Sequence, residues 1–262
     1  MIRSFQFQLR VLWRRRVLLV TALTTLVFSV GAAALVLANA TDGPAGLRGR
    51  GATVAGLSEA GGGTEVFLRG ASFTGTFLFV LFVGAFAVDF GRGTVRTMLL
   101  RQSNRIRLLL GKLAGLLAYA AAWLAVAEVL TWLAARVLAP GQDVSTTSWT
   151  SLSAIGSGLV DYVTVLAWIA GYAILAMAIG VLTRSVPIAL GIGLAWSGPI
   201  EHLTQNAWPD AVRYFPGLLL ESFVAGGTAE ITAARALLTV SGYVAAAAAI
   251  AAVTFARRDV TA

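Results

Sequence analysis

Asp89-Phe-Gly-Arg-Gly-Thr-Val-Arg-Thr-Met-Leu-Leu-Arg-Gln-Ser-Asn-Arg-Ile-Arg-Leu-Leu-Leu-Gly-Lys112 places Arg92, Arg96, Arg101, Arg105, Arg107 and Lys112 between two long apolar segments. Cations that flank membrane spans are retained on the cytoplasmic side of a bilayer, so this stretch reads as an internal loop. It also has helical periodicity. Val95, Met98, Leu99 and Ile106 share an apolar side, while Arg92, Arg96, Arg101 and Arg105 stay in water. Gly93 and Thr94 offer a flexible entry and an N-cap, and Ser103-Asn104 can stop one helix and cap the next.

The composition agrees with a membrane setting. Of 262 residues, 58% are hydrophobic and 12% are charged, with mean hydropathy +0.81. A soluble domain carries roughly 25% charged residues. The net charge of +8 is therefore a topology signal. No basic groove interleaved with aromatics marks a nucleic-acid partner. The absence of cysteine excludes disulfides and thiolate metal sites, and the single His202 forms no cluster. No phosphate-binding G-x-x-x-x-G-K-[S/T] loop occurs; Gly111-Lys112 lacks the upstream glycine. Any ATPase would be another polypeptide. Arginine is preferred over lysine and Ala and Gly are abundant, which points to a GC-rich bacterial genome, and the expected location is then the bacterial cytoplasmic (inner) membrane.

Working outward, residues 1–16 alternate as an interfacial helix. Ile2, Phe5, Leu9, Leu12 and Trp13 form the apolar face, with Arg3, Gln6, Arg10 and Arg14 opposite. Membrane spans are expected at 17–40, 71–88, 108–138, 158–182, 186–203 and 234–255, with 89–107 as the cytoplasmic loop. Residues 41–70 are glycine-rich and read as an external loop without regular structure, in which Glu65-Val66-Phe67-Leu68 can pack on the bilayer surface. Trp132 and Trp149 suit the outer interface. Gly156, Gly171 and Gly180 can let helices approach closely. Pro199 should kink the fifth span, and the apolar piece Phe215 to Phe223 is too short to cross, so it reads as a re-entrant or interfacial element. Arg184, Arg257 and Arg258 fall inside, which places both termini in the cytoplasm.

The loop resembles that between the second and third helices of ABC type-2 exporter permeases. That family has an acidic residue, three spacers, Gly-Thr, a Leu-rich turn, a Pro-x-Ser-Arg-like segment and Gly-Lys. Asp89, Gly93, Thr94, Leu99, Leu100, Arg105, Gly111 and Lys112 follow this order, with Gln102 where proline is common. The resemblance implies an all-α, six-span permease with an interfacial first helix and external helices before the last span. It implies a separate P-loop ATPase that carries ATP and Mg, and a second permease copy, identical or related. No cofactor is expected in this chain. The coupling candidates are Asp89, Arg92, Gly93, Thr94, Arg96, Leu99, Leu100, Arg101 and Arg105, with Asp89 holding the loop through an arginine. The cargo would be lipophilic or amphipathic: a drug, antibiotic, peptide or lipid-linked molecule.

Three carboxylates are candidates for the translocation route. Glu128 lies about four turns beyond Lys112, inside an apolar span, where a charge must be paired, protonated or turned to a cavity. Glu201 and Glu221 could line an exit, or be solvated loop residues. Two other readings remain open: an ion-coupled secondary transporter that uses Glu128, and a membrane scaffold or sensor that binds an ATPase and moves nothing. No acid–base, nucleophile or metal constellation marks an enzyme.

Overall fold

The computed structural model describes residues 2–42, 52–91, 93–101 and 104–257, and only the backbone for Arg3, residues 72–77, Arg96, Arg101, Ser197 and Gly198. Among the described residues the regular structure is helical, joined by turns, with isolated bridges at Thr41–Thr53 and Gly227–Thr232. The order is α1 (Ile2–Leu12), α2 (Arg15–Ala38), α3 (Val54–Leu57), α4 (Gly62–Gly91), α5 (Thr94–Arg101), α6 (Arg105–Leu138) and α7 (Leu152–Thr183). Then follow α8 (Val186–Ala195), a π turn (Trp196–Ile200), α9 (Glu201–Ala207), α10 (Pro216–Val224) and α11 (Ala233–Arg257). Among them, α2, α6, α7 and α11 are long and apolar enough to cross a membrane. This is the architecture of a membrane-embedded helical protein. At 30 residues α4 is about 45 Å long, comfortably more than the ~30 Å hydrocarbon core.

The centre of the bundle is the α4–α7 contact. Phe86 and Val83 of α4 meet Trp168, Tyr172 and Met177 of α7, all almost fully buried. Glycine sets the spacing. A Cβ on Gly180 would lie 2.6 Å from the Phe86 Cβ, and one on Gly171 would lie 2.7 Å from Leu220 of α10. Small residues of this kind let backbones approach where no side chain fits between them. Gly156, expected to act likewise, has nothing within 4 Å.

Two span boundaries differ from the sequence reading. The second span, expected at 71–88, belongs to a helix that starts at Gly62, so part of the expected loop 41–70 is regular. The glycines there serve packing. A Cβ on Gly62 would overlap the Leu57 carbonyl, and one on Gly63 would come 2.6 Å from Trp132. Val66 and Phe67, expected on the bilayer surface, are buried at 0% and 4% exposure. The fourth span, expected at 158–182, begins at Leu152, where Ser151 accepts a bond from the Ala154 N–H. Trp149 is not an interface anchor. It is 3% exposed and packs in a second core with Leu37, Leu57 and Val66, donating its Nε1–H to the Leu57 carbonyl at 2.8 Å.

Helix α1 lies against α6, but through small and polar side chains. Ser4 and Gln8, one turn apart, are the buried pair. Ser4 Oγ donates to the Arg107 carbonyl at 3.3 Å, and Gly115 makes room for Gln8. Phe5, Leu9 and Leu12 are only half-buried. The fifth expected span, 186–203, is helical throughout but changes to π geometry around Pro199. Helix α8 gives way to the π turn before α9 begins.

Candidate functional site

The quoted stretch folds as a short helix hung between two long ones. Helix α4 ends at Gly91, and Gly93 takes φ +66, a left-handed conformation that admits glycine at no steric cost. The chain then turns into α5. Thr94 Oγ1 lies 3.1 Å from both the Asp89 carbonyl and Asp89 Oδ1, so the start of α5 is tied to the last turn of α4. Asp89 also forms an ion pair with Lys112 of α6, and Lys112 donates to the Ala85 carbonyl. Lys112 and Asp89 are both largely buried. The expected arginine partner of Asp89 is thus replaced, among the described residues, by a lysine and a threonine. A lysine has the reach to bridge α4 and α6 from within the bundle.

The start of α6 is fixed as well. Asn104 caps it by accepting the Arg107 N–H at 2.9 Å. Arg105 Nη1 donates to the carbonyls of Phe255 and Ala256 at 3.4 and 3.3 Å. A cation at the last turn of α11 answers its unsatisfied carbonyls and its negative dipole end. Of the expected apolar face, Val95 is buried and Met98 and Leu99 pack against the core, while Ile106 is 43% exposed. Leu100 is 85% exposed. Arg92 lies outside the described residues, as do the side chains of Arg96 and Arg101.

Phe90 joins this end of the bundle together, and sequence reasoning did not single it out. Its ring meets Phe255 edge-on at 5.8 Å, and the Arg184 guanidinium lies 5.7 Å over it. The end of α4 therefore touches the end of α11 and the α7–α8 turn. Beside it is a cavity of about 590 Å³ bounded by α1, α4, α5, α6 and α11. Its lining includes Ser4, Gln8, Arg10, Phe86, Leu109 and Phe255. Apart from Arg10, no sequence signal marked these residues, because the lining comes from five separate helices.

The route candidates lie apart from this end. Glu128 is half-buried in α6 and its Oε1 faces Gly158 of α7. Asp161, one turn along α7, is bonded to Thr64 of α4 and interacts electrostatically with Glu128. Glu201 is 1% exposed, so it is not a solvated loop residue. Its Oε1 and Oε2 accept the N–H groups of Gly217 and Leu218 at 3.1 and 2.9 Å. It thereby caps α10, whose leading amides lack partners of their own. Glu221 of α10 faces His202 Nε2 at 3.4 Å. Adjacent residues of α9 therefore grip α10 at two points. Among the described residues, no group of three or more His, Asp or Glu side chains is placed to hold a metal ion.

Residues 63–261 match the model of a family described as a protein of unknown function, DUF2705. The chain belongs to that family. The match runs from the start of α4 past the end of α11, so it takes in the α4–α6 junction and the α9–α10 grip but not α1 to α3. No curated protein matches the chain.

Proposed function

We propose that this chain is the permease subunit of an ABC exporter, with α5 as the helix that receives force from a separate ATPase. Six spans are assigned: α2, α4, α6, α7, the irregular α8–α9 run and α11. The α5 end is cytoplasmic, and α10 is re-entrant from the opposite side. The observation that carries the reading is the setting of α5. It is a short helix tied at its start to Asp89 of α4, which is itself paired with Lys112 of α6, and its Leu100 is 85% exposed.

A push on α5 has defined routes into the bundle. Thr94 and Asp89 pass it to α4, and Lys112 passes it on to α6. Arg105 reaches α11, and Phe90 meets Arg184 at the α7–α8 turn. Contact with the ATPase would rest more on packing than on charge. Burying Leu100 is worth about 1.5–3 kcal/mol, whereas an exposed ion pair contributes about 0–1 kcal/mol. Arg96 and Arg101 would then set orientation and encounter rate. The ATP and Mg belong to the partner, and a second permease copy completes the unit. The cargo class that fits apolar spans is lipophilic or amphipathic.

The test is co-purification of a stoichiometric P-loop ATPase from the native membrane, and its loss with Leu100→Asp. A second reading has its own observation, the approach of Glu128 and Asp161 across α6 and α7. An ion-coupled transporter would lose transport in Glu128→Gln while needing no ATPase.

A further inference from the structure

We infer that the cavity beside α1 holds one anionic phospholipid of the leaflet next to α5, with its headgroup phosphate on Arg10 of α1 and an acyl chain inside. The binding itself rests only on a membrane location. Its consequence for α5 rests on the coupling reading.

The walls fit a chain. The lining is mostly apolar, with Phe86, Phe90, Leu108, Leu109 and Phe255 among it. A volume of about 590 Å³ falls within the ~300–1,000 Å³ of mostly apolar pockets that hold small molecules. The floor does not ask for an anion. Lys112 reaches the cavity, but Asp89 already neutralises it. The headgroup therefore belongs at the other end, where the polar groups of α1 stand. Ser4, Gln8 and Arg10 line that side, and Arg14, Arg15 and Arg16 are exposed just beyond. Such a group of arginines at a membrane surface attracts anionic headgroups.

The entrance also points to lipid. Phe7 of α1 lines the cavity and is 43% exposed, while Ile2 at the start of α1 and Trp13 just past its end are 72% and 59% exposed. Phe7 thus carries the apolar lining out to the exposed surface of α1, which a slot for a soluble protein would not need. The occupant would also touch Val95 and Met98 of α5. A lipid there would support the receiving helix from behind, so that lipid composition would adjust how firmly α5 transmits a push.

The full-length protein in detergent, examined by native mass spectrometry with added phosphatidylglycerol, tests this. Phosphatidylcholine of the same chains and glycerol 3-phosphate serve as the other two probes. One phosphatidylglycerol per chain should be retained in preference to phosphatidylcholine, and glycerol 3-phosphate should not compete. Arg10→Gln, at an exposed position, should weaken retention about fivefold. Thr97→Trp fills the cavity from an exposed position on α5 and should weaken it about tenfold. Both variants should elute as the wild type does. Equal retention of the two phospholipids, indifference to both substitutions, or displacement by glycerol 3-phosphate alone would overturn the inference. So would loss of an ATPase partner in Thr97→Trp with lipid retention unchanged, which would make the cavity a slot for protein. Loss of the ATPase reading alone leaves the lipid result standing.

Discussion

Asp89 and Lys112 are 23 residues apart and meet inside the bundle. Such a pair costs desolvation to form, so its net worth is small, but breaking it strands a charge. Asp89→Asn leaves the Lys112 ammonium buried with the Ala85 carbonyl and should cost about 3 kcal/mol, read as a lowered melting temperature of the detergent-solubilised protein. Glu201 presents the same logic with amides. Glu201→Ala strands the Gly217 and Leu218 N–H groups, at about 1–3 kcal/mol each. Glu201→Gln retains one acceptor and should lose roughly half as much. The sequence indicated that Asp89 anchors the loop, but not to what. Choosing Lys112 over an arginine needs the distance between α4 and α6, which no local pattern contains. Glu201 was hidden for a related reason. Its partners are backbone amides of α10, and amides leave no mark in composition.

Helix boundaries were legible where a cap or a breaker is local. Asn104 capping α6 and the irregularity at Pro199 in the fifth span are read from a few adjacent residues. The start of α4 was not legible. Gly61-Gly62-Gly63 has the composition of a flexible linker, yet Gly61 is crowded by Ser157 and Gly63 by Trp132 and Trp149, which come from elsewhere in the chain, and Gly62 by the Leu57 carbonyl. The same distinction separates Gly180 from Gly156. Gly180→Ala pushes a methyl into Phe86 and should cost about 1–3 kcal/mol. Gly156→Ala enters open space and should gain up to about 1 kcal/mol from helix propensity. Thermal melting of the two variants side by side checks this. If both behave alike, the α4–α7 spacing is not set at Gly180.

At the scale of the whole molecule, hydropathy and charge reveal that the chain is apolar, helical and basic beside its long helices. They do not reveal that five helices close one cavity or that α9 and α10 are locked together. The assigned topology predicts a simple labelling result. The chain has no cysteine, so single cysteines can be placed at will. A membrane-impermeant maleimide should label cysteines at Gln142 and Asn206 in intact cells, and one at Leu100 only after permeabilisation. Labelling of Leu100→Cys in intact cells would invert the topology and remove α5 from any cytoplasmic ATPase.

The most direct measurement is mass spectrometry of the partners that co-purify with this chain from its native membrane in mild detergent. The coupling account predicts a stoichiometric P-loop ATPase with the wild type, and its loss with Leu100→Asp while the variant still elutes as a folded membrane protein. A wild-type chain that emerges without an ATPase, from a preparation that keeps a known ABC complex intact, would contradict the account and direct attention to Glu128 and Asp161.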